Sequence, residues 1–325
     1  MGKPCTKSLP DYLWDGFCIA SVLGIWPRFV EPNLLLTRQL TLECPDLAPE
    51  LQGLKITQFS DLHFSKSTPD AFLKKLSSKI HRENPDILVF TGDFLCYSHL
   101  EDEERLLDFL LSLPQARFGN FAILGNHDYA SFVSVGRSGN YSLIGDKENR
   151  SSILKGLKRM INPVKPTGII DPEIKAVKEH RPLLNLLKKT PFNLLENSSV
   201  SVRIKDKTLT IHGLGEYTVN KMDESCLSND KTDFALTLLH NPDGIPRLKR
   251  DQYDLILCGH THGGQVNLPL LRDRFIVMED ERFFYGLREY KGQRVYTTRG
   301  VGSVMPFRWF CPPEIVSITL KNKGS

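Results

Sequence analysis

Five apolar runs in this chain stop on residues that ligate metals, and this repetition limits the fold more than any other feature. "KITQFSDLHF" ends at Asp61 and His63, "DILVFTGD" at Gly92 and Asp93, and "FAILGNHD" at Gly125, Asn126, His127 and Asp128. "FALTLLH" ends at His240, and "YDLILCGHTHGG" at Gly259, His260 and His262. Any one such fragment reads equally well as a capped turn. Repeated at the ends of successive strands, they form the pattern of an open α/β sheet, where ligands collect outside the carboxyl ends. The glycines before the polar groups permit unusual backbone angles and close approach.

The intervening segments agree. Thr68-Pro69-Asp70 opens a helix, with Pro69 at a favoured first-turn position. "EDEERLLDFLLSL" has the periodicity of an amphipathic helix. Strand, helix, strand, helix, strand predicts βαβ units and a largely parallel sheet. "SVSVRI", "TLTIHGLG", "RVYTTRG" and "EIVSITL" read as further strands. Between residues 130 and 182 the regularity breaks into a polar, basic excursion, with weak helical patterning over 153–160. Residues 137–189 hold 12 Lys+Arg and 5 Asp+Glu, although the whole chain carries only +4. The local excess suits an anionic partner; a solvated surface loop is the alternative.

Asp61, His63, Asp93, Asn126, His240, His260 and His262 offer carboxylate, amide and imidazole donors without thiolate. That set suits Mn, Fe or Zn. It is too large for one ion and sufficient for two that share a carboxylate. Two such ions about 3.5–4 Å apart serve hydrolysis of phosphate esters and anhydrides. A separate imidazole would protonate the leaving oxygen or stabilise the developing charge.

The ordered fragments "DLH", "GD", "GNHD", "H" and "GHTHGG" resemble the calcineurin-like metallophosphoesterase family over residues 55–320. The resemblance implies a four-layer α/β fold, a two-sheet β-sandwich flanked by helices, with a dinuclear metal site at the carboxyl ends of strands. It implies one ion held by Asp61, His63 and His262, another by Asn126, His240 and His260, and Asp93 bridging them. It makes His127 the catalytic histidine and Asp128 the residue that orients it. The implied cofactor is two divalent metal ions, expected as Mn2+, with Fe or Zn as alternatives.

"GGQVNLP", "RVYTTRGVGSVMPFR" and "PPEIVSITL" are similar to the YkuE/YaeI-type branch, which includes membrane-associated enzymes. Within it, the chain resembles pyrophosphatases of lipid A synthesis that cleave UDP-2,3-diacylglucosamine. These give UMP and 2,3-diacylglucosamine 1-phosphate by attack on the alpha phosphorus. The implied partner is thus a lipid-linked sugar nucleotide, for whose phosphates Arg299 and Arg308 are candidate substrate-binding residues; structural ion pairs are their alternative. The long segment after Asp128 departs from the plain branch. Another phosphodiesterase or phosphatase activity of the same family is the competing reading. A non-catalytic scaffold is disfavoured by the complete ligand set.

Residues 1–30 are expected to be a membrane-associating segment and residues 50–325 the catalytic domain, with 130–182 as a lid or substrate-binding segment. "YLWDGFCIASVLGIW", residues 12–26, is too short to span a bilayer, which needs about 20 apolar residues. Asp15 interrupts it, and it matches a signal-peptide cleavage site poorly. A helix lying in the membrane interface fits its aromatic residues; a helix packed on the protein's own core is the alternative. The seven scattered cysteines lack a C-x-x-C pair, which argues for reduced thiols and a cytosolic setting. Cys258 reads as a core residue. The expected location is therefore the cytoplasmic side of a bacterial inner membrane, as a peripheral protein. A net charge of +4 gives no footprint for nucleic acid, and nothing points to an obligate protein partner.

Overall fold

A computed structural model describes residues 7–145, 162–249, 253–268, 274, 276–304 and 307–323. Fourteen strands, numbered in chain order, form two six-stranded sheets and one hairpin. The first sheet runs β1 (Leu36–Cys44), β14 (Glu314–Asn322), β2 (Lys55–Phe59), β3 (Ile87–Thr91), β4 (Asn120–Ile123) and β7 (Phe192–Leu194). The second runs β12 (Gly286–Tyr290), β13 (Gln293–Thr297), β11 (Leu255–Cys258), β10 (Phe234–Leu238), β9 (Lys207–Gly213) and β8 (Ser198–Ile204). The hairpin pairs β5 (Val133–Val135) with β6 (Tyr141–Leu143). β2, β3, β4 and β7 are parallel neighbours, as are β9, β10, β11 and β13.

Strict alternation explains why these runs become central strands. Ile87 and Val89 face a core shared with Leu236, Leu238, Leu255 and Leu257 of the opposite sheet. Leu88 and Phe90, between and beyond them, face a second core under the helices. Ile256 and Cys258 likewise face a third cluster on the outer side of the second sheet. A strand buried on both faces reads as a continuous apolar run, which is how "DILVF" and "LILC" appear. The Cys258 thiol is buried, and burial pushes its pKa well up, in keeping with a core role.

Helices α2 (Asp70–Glu83), α3 (Glu103–Leu111) and α4 (Arg181–Leu187) cover the first sheet. In α2, Phe72, Leu73, Leu76 and Ile80 form the buried stripe, and Asn84 ends the helix in a left-handed conformation. Pro69 stands one residue earlier than expected, as the cap before Asp70. Asp102 caps α3, its side chain accepting from the Arg105 N–H at 3.2 Å. The excursion after Asp128 is partly built into this core. Val133, Tyr141, Ile174, Val177 and Leu183 all join it. The helical patterning expected over 153–160 lies outside the described residues.

The N-terminal segment differs from the expectation. A helix α1 (Leu9–Ala20) continues without a break through a wide π-turn region (Ser21–Val30) and a 3-10 turn (Glu31–Asn33). The result is 25 residues long, and by length and composition alone it is sufficient to cross a membrane. The apolar stretch counted from sequence covered only residues 12–26; the helix runs on past Pro27, whose missing N–H the π-turn region accommodates. Packing on the protein's own core is not what the helix does. No residue of α1 is buried, and Trp14 and Phe17 are 65% and 57% exposed. Only its foot, at Pro27 and Glu31, is buried.

Candidate metal centre

The carboxyl ends of β2, β3, β4, β10 and β11 deliver the predicted residues to one place. Asp61, His63, Asp93, His260 and His262 all have φ between 45° and 69°. Residues other than glycine are uncommon in this left-handed region and persist there when the surroundings hold them. Backbone contacts do that holding: Asp61 N–H donates to Gly92 O, and His63 N–H to Asp93 O.

The first cluster is Asp61, His63 and His262. His262 Nε2 lies 2.9 Å from His63 Nε2 and 3.5 Å from Asp61 Oδ1. The second is Asp93, His240 and His260. Asp93 faces both, because its Oδ2 is 3.6 Å from His63 Nε2 and 3.2 Å from His240 Nε2. Asn126 Oδ1 is 3.0 Å from His260 Nδ1, while its amide nitrogen donates to Val133 O at 2.8 Å. The ring nitrogens away from the cluster are anchored as metal-binding imidazoles commonly are. His63 Nδ1 meets Leu95 O at 3.2 Å, and His240 Nδ1 meets Thr91 O at 2.6 Å.

The chemistry of these atoms fits two cations. Burial lowers His63 to about 4 and His260 to about 3, so both rings are neutral and able to ligate. Burial likewise pushes the Asp61 carboxyl up to about 7. Asp61 Oδ2 has no hydrogen-bond partner among the described residues. A buried carboxylate in that position lacks the positive charge that a metal supplies. His240 Nε2 presents its lone pair to Asp93 at 3.2 Å. Burial disfavours a charged ring there, but Asp93 outweighs it and raises the His240 pKa well above its ordinary value. A proton or a cation must stand between the two groups, and metal binding exchanges one for the other.

His127 sits beside the clusters in a different electronic role. Its Nδ1 accepts from the Tyr97 N–H at 2.9 Å. The neutral ring therefore carries its proton on Nε2, where it has no lone pair for a metal. Burial lowers its pKa well below the ordinary value and keeps that form. Phe132 and His63 enclose the ring at centroid distances of 4.2 and 4.5 Å. His127 is thus placed to donate a hydrogen bond from Nε2.

Asp128 does not orient that ring. Its Oδ2 accepts from the N–H groups of Asp93 and Gly125 at 2.8 and 2.9 Å, and its Oδ1 from Leu95 N–H at 2.9 Å. It braces the two loops that carry Asp93 and Asn126. The orienting group is the Tyr97 main chain, in a loop where Tyr97 and Ser98 are also left-handed, and nothing in "LCYSH" announces it.

Arg308 is also placed differently. It is fully buried, and its guanidinium donates to the carbonyls of Arg299, Gly300, Gly302 and Cys311. It braces the loop behind His262, whose Nδ1 is 3.4 Å from Nη2. That use replaces the expected grip on phosphate. Arg299 lies 3.9 Å from Glu314 and over the Tyr285 ring at 4.7 Å, the structural pairing named as its alternative.

The glycines at this site are required by space. A Cβ on Gly259 would stand 2.1 Å from Ser60 Oγ and 2.6 Å from Asp61 Oδ2. Gly259→Ala is therefore expected to lower stability by about 1–3 kcal/mol, as overpacking does, and to reduce metal content. Calorimetry with metal analysis tests this; an unchanged melting temperature with full metal occupancy would contradict the packing account.

The sequence is similar to those of known proteins. The family model described as calcineurin-like phosphoesterase matches residues 54–264. The chain is similar to UDP-2,3-diacylglucosamine pyrophosphatase LpxG of Chlamydia muridarum, 36% identical over 307 residues that cover 90% of this chain and 91% of that protein. It is also similar to phosphodiesterase YaeI of Escherichia coli, at 27% identity over 82% of both chains. Metallophosphoesterase YkuE of Bacillus subtilis is 24% identical, over 91% of this chain and 89% of that one. The matched segment spans every residue of the two clusters and more than half of the sequence, and this chain belongs to the calcineurin-like phosphoesterase family.

Proposed function

We propose that this chain hydrolyses the pyrophosphate of UDP-2,3-diacylglucosamine to UMP and 2,3-diacylglucosamine 1-phosphate, at a membrane surface. The observation that carries the reading is the 36% identity over nine-tenths of both chains to a protein named for that activity. The seven donors Asp61, His63, Asp93, Asn126, His240, His260 and His262 are the proposed ligands of two divalent cations, with Mn2+ the expected ion. When bound there, two such cations would supply charge neutralisation for the phosphates and activation of a water. His127 donates from Nε2 to the oxygen that leaves. The new bond joins water oxygen to the nucleotide-side phosphorus, and the bond to the bridging oxygen breaks, releasing the lipid phosphate. Hydrolysis in heavy-oxygen water is therefore expected to label UMP and leave the lipid product unlabelled. Release of UDP, or turnover of simple diesters without turnover of the lipid nucleotide, would overturn the assignment.

The apolar helix supports a membrane location, and the free state of the five described cysteines suits the cytoplasmic side. The main chain at Pro27 accepts from Arg308 N–H at 2.8 Å. Glu31 accepts from Trp26 Nε1 at 2.8 Å and from the Cys311 N–H. Deleting residues 1–24 leaves this footing in place. The shortened chain is expected to lose most of its sedimentation with anionic vesicles while keeping turnover of a soluble diester. Unchanged sedimentation would remove the helix from membrane attachment.

A further inference from the structure

The foot of the N-terminal helix and the loop before β14 enclose a cavity of about 540 Å³, walled by Val22, Trp26, Leu34, Trp309, Phe310 and Pro312. That volume lies within the usual range for small-molecule sites, roughly 300–1,000 Å³. Glu31 is the charged residue of the lining, and its carboxylate is 3% exposed and engaged by Trp26 and Cys311. The wall is apolar, yet it stands open. Phe310 is 59% exposed and has a φ of 55°, a costly backbone for an aromatic residue that turns its ring outward. An exposed apolar patch of this kind marks a binding surface.

The same wall is tied to the metal ligands. Trp309 N–H donates to Gln265 O and Asn267 N–H to Trp309 O, both at 2.8 Å. The Cys311 thiol donates to His262 O at 3.2 Å. The cavity thus begins beside the loop that carries His262, and it continues into the exposed apolar face of the helix. A charged ligand gains nothing from such a wall, whereas a flexible hydrocarbon chain joined to a phosphate at the metals would be removed from water along it.

We infer that this cavity receives an acyl chain of the lipid substrate; the inference rests on the substrate reading above. Two other occupants, a bilayer lipid and a second copy of the chain, are outcomes of the test. Purified full-length protein is assayed on UDP-diacylglucosamines with acyl chains short enough to stay monomeric, each rate normalised to the same sample's turnover of bis(4-nitrophenyl) phosphate. For the wild type, kcat/KM is expected to rise about fourfold for each methylene that enters the cavity. Val22→Trp, at a position 52% exposed and so tolerant of size, should fill the space and flatten that rise. Phe310→Ala should reduce it. A Val22→Trp slope equal to the wild-type slope overturns the inference. If that variant instead loses only vesicle binding, the cavity serves a bilayer lipid; if it loses only self-association on sedimentation, it serves a second copy. A wild type that cleaves the small diester but no member of the series overturns the substrate reading, and the acyl assignment falls with it.

Discussion

Asp93→Ala is expected to leave no measurable phosphoesterase turnover and a chain that binds fewer than two divalent ions. Its Oδ2 faces both clusters, 3.6 Å from His63 Nε2 and 3.2 Å from His240 Nε2. Its Oδ1 accepts from the His127 N–H at 2.9 Å, so the same carboxylate also sets the loop that carries His127. Asp93→Asn separates these functions. The amide oxygen can keep the hydrogen bond to His127 N–H, but the negative charge that a pair of cations needs is gone. Both variants are therefore expected to be inactive, with the Asn form retaining more of its thermal stability. Metal analysis that finds two ions in either variant would remove Asp93 from the bridging position.

His127→Ala keeps its metals and loses rate. The expected loss is about 10²–10³-fold, the usual contribution of one positioned hydrogen-bond donor to developing charge. Because Tyr97 N–H occupies Nδ1, the donor is Nε2–H, and its importance follows the basicity of the leaving oxygen. Esters of 4-nitrophenol should lose less than the lipid nucleotide. Equal losses on both would argue against a hydrogen bond from His127 to the leaving oxygen, and loss of metal would make His127 a ligand instead.

The parts of this fold that were legible from sequence are those whose physics is local. "DILVF" and "LILC" could be read as strands because both faces are buried, leaving no polar interruption. Strands β1, β7 and β12, all at sheet edges, escaped because half-exposed residues break their apolar runs, whereas β8, also an edge, showed through the regular alternation of "SVSVRI". The metal-binding residues were legible because each strand end carries its donors within a few positions. Contacts between different strand ends were not. Asp128 follows His127 in sequence but bonds to Asp93 and Leu95, brought close only by sheet pairing. Arg308 read as a phosphate-binding candidate, since its carbonyl partners come from a loop whose path the sequence does not reveal. The length of the N-terminal helix was not legible because the apolar count covered only residues 12–26, whereas the π-turns that carry it through Pro27 to Val30 have no simple residue pattern.

The left-handed backbone at Asp61, His63, Asp93, His260 and His262 has a consequence for metal choice. Donors held by main-chain contacts on two packed sheets take their positions from the fold, unlike those of small domains that fold only around their ion. A cage shaped in advance, with only nitrogen and oxygen donors, separates first-row divalent ions weakly by shape. Intrinsic affinity then follows the order common to such ligands, in which manganese ranks below iron and zinc. Occupancy in the cell becomes a matter of supply, so that changing the free concentrations of these ions would change the resident metal without any change in the protein.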